Sequence, residues 1–125
     1  MNKIINTNKA PKAIGPYSQA VIANDLIFTA GQICLDPDSG ELNNLDFKTE
    51  VRQVFDNIKA ILDSARSDMA KIIKCTVYIT DLNNFEIVNK IFEEMFSEKF
   101  PARSVVEVSK LPKNVNIEID VVASL

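Results

Sequence analysis

The 125-residue chain contains no histidine. That absence excludes Ser-His-Asp and Cys-His catalysis in their usual form, histidine-ligated metal and imidazole acid–base work. Any proton transfer falls to carboxylates, lysine, tyrosine, backbone or water. Cysteine is scarce: Cys34 and Cys75 stand alone, and neither has a second cysteine or a histidine at ligand spacing. They build no disulfide framework and no metal knuckle, and they read as small buried apolar residues. Long apolar runs are missing too. Stretches such as residues 21–23 and 26–28 fall far short of the ~20 residues a membrane span needs. The first residues carry one lysine and no apolar run, so no secretory signal is read, and a cytoplasmic protein is expected. A basic stripe is lacking as well: net charge is −3, the pI is about 4.9, and no block of five like charges occurs. This argues against a nucleic-acid partner. There is no internal repeat and no low-complexity segment, and the length and composition suit a single domain over residues 1–125.

What is present alternates between strand and helix signals. Residues 4–5 start a short strand, and residues 6–14 form a polar loop that ends at the Gly15-Pro16 turn. Residues 18–23 and 26–30 read as two strands joined tightly at Asn24-Asp25, two residue types that tolerate left-handed backbone. Gly31 ends or bulges the second of them, and residues 36–40 are turn formers. Phe47, Val51, Val54, Phe55, Ile58, Ile61 and Leu62 recur at spacings of three and four, which predicts a helix over 47–65. Residues 72–79 are a β-branched strand. A second helix over 84–97 turns Phe85, Val88, Phe92, Met95 and Phe96 inward and stops before Pro101. Two strands close the chain. Residues 104–110 set Ser104, Val106 and Val108 on one face, with Val105, Glu107 and Ser109 on the other. Residues 115–122 set Val115, Ile117, Ile119 and Val121 opposite Glu118 and Asp120. The expected fold is α+β, one sheet with both helices on one face and the other face open to solvent or to another subunit.

Five places stand out from the pattern. Arg103, between Pro101-Ala102 and a strand, sets a guanidinium at a strand mouth, suited to gripping a carboxylate with two prongs. Glu118 puts a carboxylate in the middle of the last strand, able to polarise water. Tyr17 follows the Gly15-Pro16 turn and either offers its hydroxyl to a ligand or packs over strand ends. Gly31 and Gln32 read as a bulge with a polar cap. Asn89 interrupts the inner stripe of the second helix and reads as a structural hydrogen bonder.

Together these segments resemble a known family. Ala13-Ile-Gly-Pro-Tyr-Ser-Gln-Ala-Val21, Leu26-Ile-Phe-Thr-Ala-Gly-Gln-Ile33, Pro101-Ala-Arg-Ser-Val-Val-Glu-Val-Ser-Lys-Leu-Pro112 and Ile117-Glu-Ile119 are similar to the Rid (YjgF-type) family over essentially the whole chain. The resemblance implies a chorismate-mutase-like α+β fold and a homotrimer with sites between subunits. It implies hydrolysis of 2-imino acids to 2-keto acids and ammonia, without cofactor or metal. The imines arise from enamines released by pyridoxal-phosphate dehydratases acting on serine and threonine. By the same match, Arg103 binds the substrate carboxylate and Glu118 positions or activates water. Tyr17, Gly31, residue 30 and the backbone near Val105 line the pocket. Some relatives are described as translation inhibitors with ribonuclease activity; a trimer that holds small carboxylates without turnover is the other alternative. The chain departs from the family pattern at Ala30, often serine, at Val105, often cysteine, and at Cys34, where proline is common. The first two changes make the pocket more apolar.

Overall fold

A computed structural model describes residues 2–125. The hairpin expected at Asn24-Asp25 forms, with φ of 51° and 63°, the paired left-handed conformation of a type I′ turn. It joins β2 (Ala20–Ala23) to β3 (Leu26–Thr29), and β1 (Lys3–Ile5) lies antiparallel beside β2. α1 (Phe47–Ser64) follows, then β4 (Ile72–Ile79), α2 (Phe85–Phe96), β5 (Ala102–Glu107) and β6 (Ile117–Ser124). The order across the sheet is β1-β2-β3-β6-β4-β5. Only β4 and β5 run parallel, and α2 is the crossover that a parallel connection requires. β6, last in sequence, lies in the interior of the sheet, antiparallel to β3 on one side and to β4 on the other.

Alternation decides which face is covered. Ile117, Ile119, Val121 and Ala123 of β6 and Cys75, Val77 and Ile79 of β4 are buried, while Glu118, Asp120, Thr76 and Tyr78 are half-exposed on the opposite face. The buried set packs in one core with Val51, Val54, Phe55, Ile58, Ile61 and Leu62 of α1 and Val88, Ile91, Phe92 and Phe96 of α2. Phe55 meets Phe92 edge-on at 5.4 Å, which ties the helices together. The other face carries no helix, and Phe28 and Val106 are exposed on it.

Three strands differ from the sequence reading by two residues or more at an end. β2 begins at Ala20 rather than at residue 18, because the Gln19 side chain turns in to bond Thr7, Ala10 and Pro11 and so anchors the preceding loop. β5 begins at Ala102, two residues earlier than expected, because its pairing with β4 starts at Lys74–Ala102. Its ladder ends with Val108 N–H donating to the Ile79 carbonyl at 2.8 Å. β6 starts at Ile117 and runs to Ser124; Val115 is buried in the preceding turn instead of in the strand. None of the helices among the described residues is long and apolar enough to cross a membrane.

Candidate active site

Glu118, Gly31 and Tyr17 come together on one side of the sheet. They line a cavity of about 220 Å³ with Pro11, Lys12, Ile14, Gln19 and Lys113 among its walls. Gly31 is required by close approach: a Cβ built there would lie 2.3 Å from Oε2 of Glu118 and 2.7 Å from its carboxyl carbon. The Glu118 carboxylate therefore lies directly over the Gly31 backbone. Tyr17 lies half-exposed at the cavity wall, its hydroxyl accepting a long 3.4 Å bond from Ile14 N–H.

The electrostatics of this face favour a carboxylate that holds its proton longer than usual. Burial pushes the Glu118 carboxyl above its ordinary 4.5, and the neighbouring Asp120 charge adds to the effect. Burial also raises Asp120 above its ordinary value, while Tyr78, on the adjoining strand, lowers it through a hydrogen bond. Tyr78 itself is raised, first by burial and then by the charges of Asp120 and Glu118. The cations among the cavity residues are Lys12 and Lys113, both exposed.

Arg103 lies elsewhere. It is the second residue of β5, not at a strand mouth, and it pairs with the buried Cys75, so its side chain is on the helix-covered face. Its guanidinium carbon stands 4.8 Å from the Phe92 ring centre and 5.2 Å from that of Phe85. Cation–π contacts orient the group without using its N–H donors. The ion pairs among the described residues, Arg52–Glu94 and Lys59–Asp63, do not involve it. Arg103 lines a separate cavity of about 350 Å³ with Asn89, Phe92, Glu93, Phe100 and Pro101. Asn89 makes no side-chain hydrogen bond among the described residues; it faces this cavity rather than bracing the core. Val105, two residues on, packs partly buried against the core and lies outside that lining. Ala30 is in neither lining: its N–H donates to the Gln19 carbonyl at 2.8 Å and its carbonyl accepts from Gln32 Nε2 at 3.4 Å. A single chain thus brings Glu118, Tyr17 and Gly31 together and keeps Arg103 on the opposite face of the sheet.

The sequence reading missed the buried polar residues behind the site. Glu50, Gln53 and Asn57 of α1 are buried. Asn57 Nδ2 donates to the carbonyls of Ile33 and Leu35 at 3.0 and 2.9 Å, Gln53 Nε2 donates to Asn57 at 2.9 Å, and Asn43 donates to Gln53 at 3.0 Å. This ladder holds the segment after Gly31 against α1. The signal was available: Glu50 falls between Phe47 and Val54 at spacings of three and four, inside the apolar stripe.

The thiols take no part in either cavity. Cys34 and Cys75 are fully buried; burial first, then the Glu50 charge, pushes Cys34 up to about 11, and burial pushes Cys75 up to about 12 despite nearby Arg103. Because the thiolate is the reactive form, iodoacetamide at pH 7.5 (roughly the pH at which ordinary thiols begin to react) should leave both unmodified. Mass spectrometry should show labelling only after denaturation.

Residues 7–125 match the family described as Endoribonuclease L-PSP. The 2-iminobutanoate/2-iminopropanoate deaminase of Escherichia coli is 47% identical over 126 residues, covering 98% of each chain. The crystal structure of YyfA of Yersinia pestis, a Rid family protein, superimposes with a TM-score of 0.97 at 45% identity over the whole of both chains. That of E. coli TdcF with bound serine does so with a TM-score of 0.92 at 43% identity over 98% of each. The chain belongs to the Rid family.

Proposed function

We propose that the protein is a 2-imino acid deaminase, hydrolysing short imines such as 2-iminopropanoate and 2-iminobutanoate to 2-keto acids and ammonia. The observation that carries this reading is the Glu118 carboxylate, lifted above its ordinary pKa and laid over Gly31 in a small cavity beside Tyr17. The identity to the E. coli enzyme supports the substrate class. A carboxylate anchor comes from Arg103, which has aromatic contacts and no acidic partner among the described residues. Since Arg103 and Glu118 face opposite sides of one sheet, the reading requires a neighbouring copy to supply one to the other. That is the intersubunit site of a homotrimer with the chorismate-mutase-like arrangement, and the uncovered sheet face with exposed Phe28 and Val106 suits such burial.

The chemistry suits so sparse a site. The imine carbon is electrophilic once its nitrogen is protonated. Glu118 takes a proton from water as the water oxygen bonds to that carbon. The nitrogen takes that proton from Glu118, the new hydroxyl gives its own proton back to the carboxylate as its C=O forms, the C–N bond breaks, ammonia leaves and the 2-keto acid remains. Holding substrate and water in reacting geometry is itself a large source of rate, and no step calls for a metal or cofactor. At Ala30 and Val105, where the family often has serine and cysteine, this chain supplies neither that hydroxyl nor that thiol.

The test is a coupled assay. A serine or threonine dehydratase supplies the enamine, and keto-acid release is timed with and without this protein. Release should exceed the spontaneous rate, and sedimentation equilibrium should give about three times the 13.9 kDa chain mass. A monomer at micromolar concentration that nonetheless accelerates hydrolysis would remove the shared site. A trimer that binds pyruvate without turnover would leave only carboxylate binding.

A further inference from the structure

We propose that Glu50 is the positioning residue for Glu118, holding the start of β6 so that the working carboxylate stays over Gly31. The proposal rests on the deaminase reading above for its catalytic consequence, not for its geometry. Glu50 is wholly buried, and neither of the ion pairs found among the described residues includes it. A carboxylate in that position is costly unless hydrogen bonds replace its water. Three do. Oε2 accepts from the backbone N–H of Asn116 at 2.6 Å and of Ile117 at 3.1 Å, and Oε1 accepts from Asn116 Nδ2 at 2.9 Å. All three partners are donors, which an ionised carboxylate, an acceptor at both oxygens, matches fully.

What these bonds hold is the residue next to Glu118. On its other side, Ile119 N–H donates to the Gln32 carbonyl at 3.1 Å and Gln32 N–H donates back at 2.8 Å. The backbone of Glu118 is therefore tethered from both neighbours, by Glu50 ahead of it and by the residue after Gly31 behind it. Glu50 is itself fixed in the first turn of α1, whose N-cap Asp46 accepts Thr49 N–H at 2.7 Å. An apolar side chain at position 50 would fill the space and leave the N–H groups of Asn116 and Ile117 unpartnered, so the strand start would have to move to find water.

The experiment compares Glu50→Ala, Glu50→Gln and Asn116→Ala in the full-length protein. It measures kcat and KM in the coupled assay, pyruvate affinity, and the Glu118 titration by carboxyl ¹³C NMR. Glu50→Ala should lower kcat on the order of tenfold to a hundredfold, the scale of an ångström-sized misplacement. Pyruvate affinity should stay near wild type, and the Glu118 titration should fall back toward 4.5 as its surroundings loosen. Glu50→Gln should restore most of both, since its amide oxygen still accepts the two backbone N–H groups. Asn116 is exposed, so Asn116→Ala should fold even if Glu50→Ala does not, and should show the same changes in smaller degree. A folded Glu50→Ala, or Asn116→Ala where that alone folds, with wild-type kcat and an unmoved Glu118 titration overturns the proposal. So does Glu50→Gln as impaired as Glu50→Ala. If the wild-type protein shows no turnover at all, the deaminase reading fails, while the Glu118 titration still reports on the tether.

Discussion

Arg103→Ala is expected to leave a folded protein that no longer accelerates imine hydrolysis. The guanidinium is half-buried over Phe92 and Phe85 and pairs with no acid among the described residues. Removing it breaks no ion pair that holds the fold. It costs the two ring contacts, about 0.5–1 kcal/mol each at a partly exposed site, and a surface-facing cavity tolerates that loss. The cost to function is larger. A charge-assisted hydrogen bond to a carboxylate contributes ~1.5–3 kcal/mol, and ~1.4 kcal/mol is a factor of ten in rate. The expected fall in kcat/KM is therefore at least about tenfold. Arg103→Lys should fare nearly as badly, because an ammonium cannot fork onto two carboxylate oxygens. Steady-state kinetics with circular dichroism as the folding control checks both. An Arg103→Ala protein that folds and turns over at the wild-type rate removes Arg103 from the site.

Glu118→Gln should bind pyruvate normally and lose turnover by about 10²–10⁴-fold, the usual contribution of a positioned general base. Gly31→Ala should reach nearly the same end by geometry. The new methyl would meet the tip of the Glu118 side chain at 2.3 Å. That tip is flexible, so the carboxylate should swing away while the backbone survives. The pH dependence follows from the direction of the Glu118 shift. Burial and Asp120 raise its pKa, and only the ionised form accepts a proton from water. Activity should be full at neutral pH and fall as pH drops through a value above 4.5, while Glu118→Gln should lack this acid limb. A wild-type profile whose acid limb lies at or below the ordinary value would show that the carboxylate is solvated, and would take the water-activating role from it.

Much of this was legible in the sequence. The apolar stripe of α1 needed only its three-and-four spacing. The alternation 117, 119, 121 against 118, 120 placed Glu118 and Asp120 on the uncovered face, because the period of a strand admits no other arrangement once the apolar set is buried. The proposed site residues came from the motif segments rather than from periodicity. What remained hidden depends on pairing between distant segments. Arg103 was read at a strand mouth because the apolar alternation starts after it; its place inside β5 is set by the partner strand β4. That Arg103 and Glu118 face opposite sides follows from the parallel register of β4 with β5 combined with the antiparallel register of β4 with β6, and no local pattern encodes that combination. Asn89 looked like a core hydrogen bonder because it breaks an apolar stripe, yet the stripe borders a cavity there. Glu50 carried a visible signal, but one polar residue in a stripe does not say what it bonds.

The place of β6 in the sheet also dictates how the molecule must be made. β1, β2 and β3 form one meander, and β4 with β5 forms another unit; the two are joined in the sheet only through β6. As the chain is synthesised, the first five strands emerge as two separate sheet fragments, each with an unpaired inner edge able to pair with other chains. Cooperative folding must wait for residues 117–124 and then close loops reaching back to β3, a costly nonlocal step that predicts slow folding for a protein of this size. A nascent chain stalled before that point has Glu50 already made and nothing for it to hold.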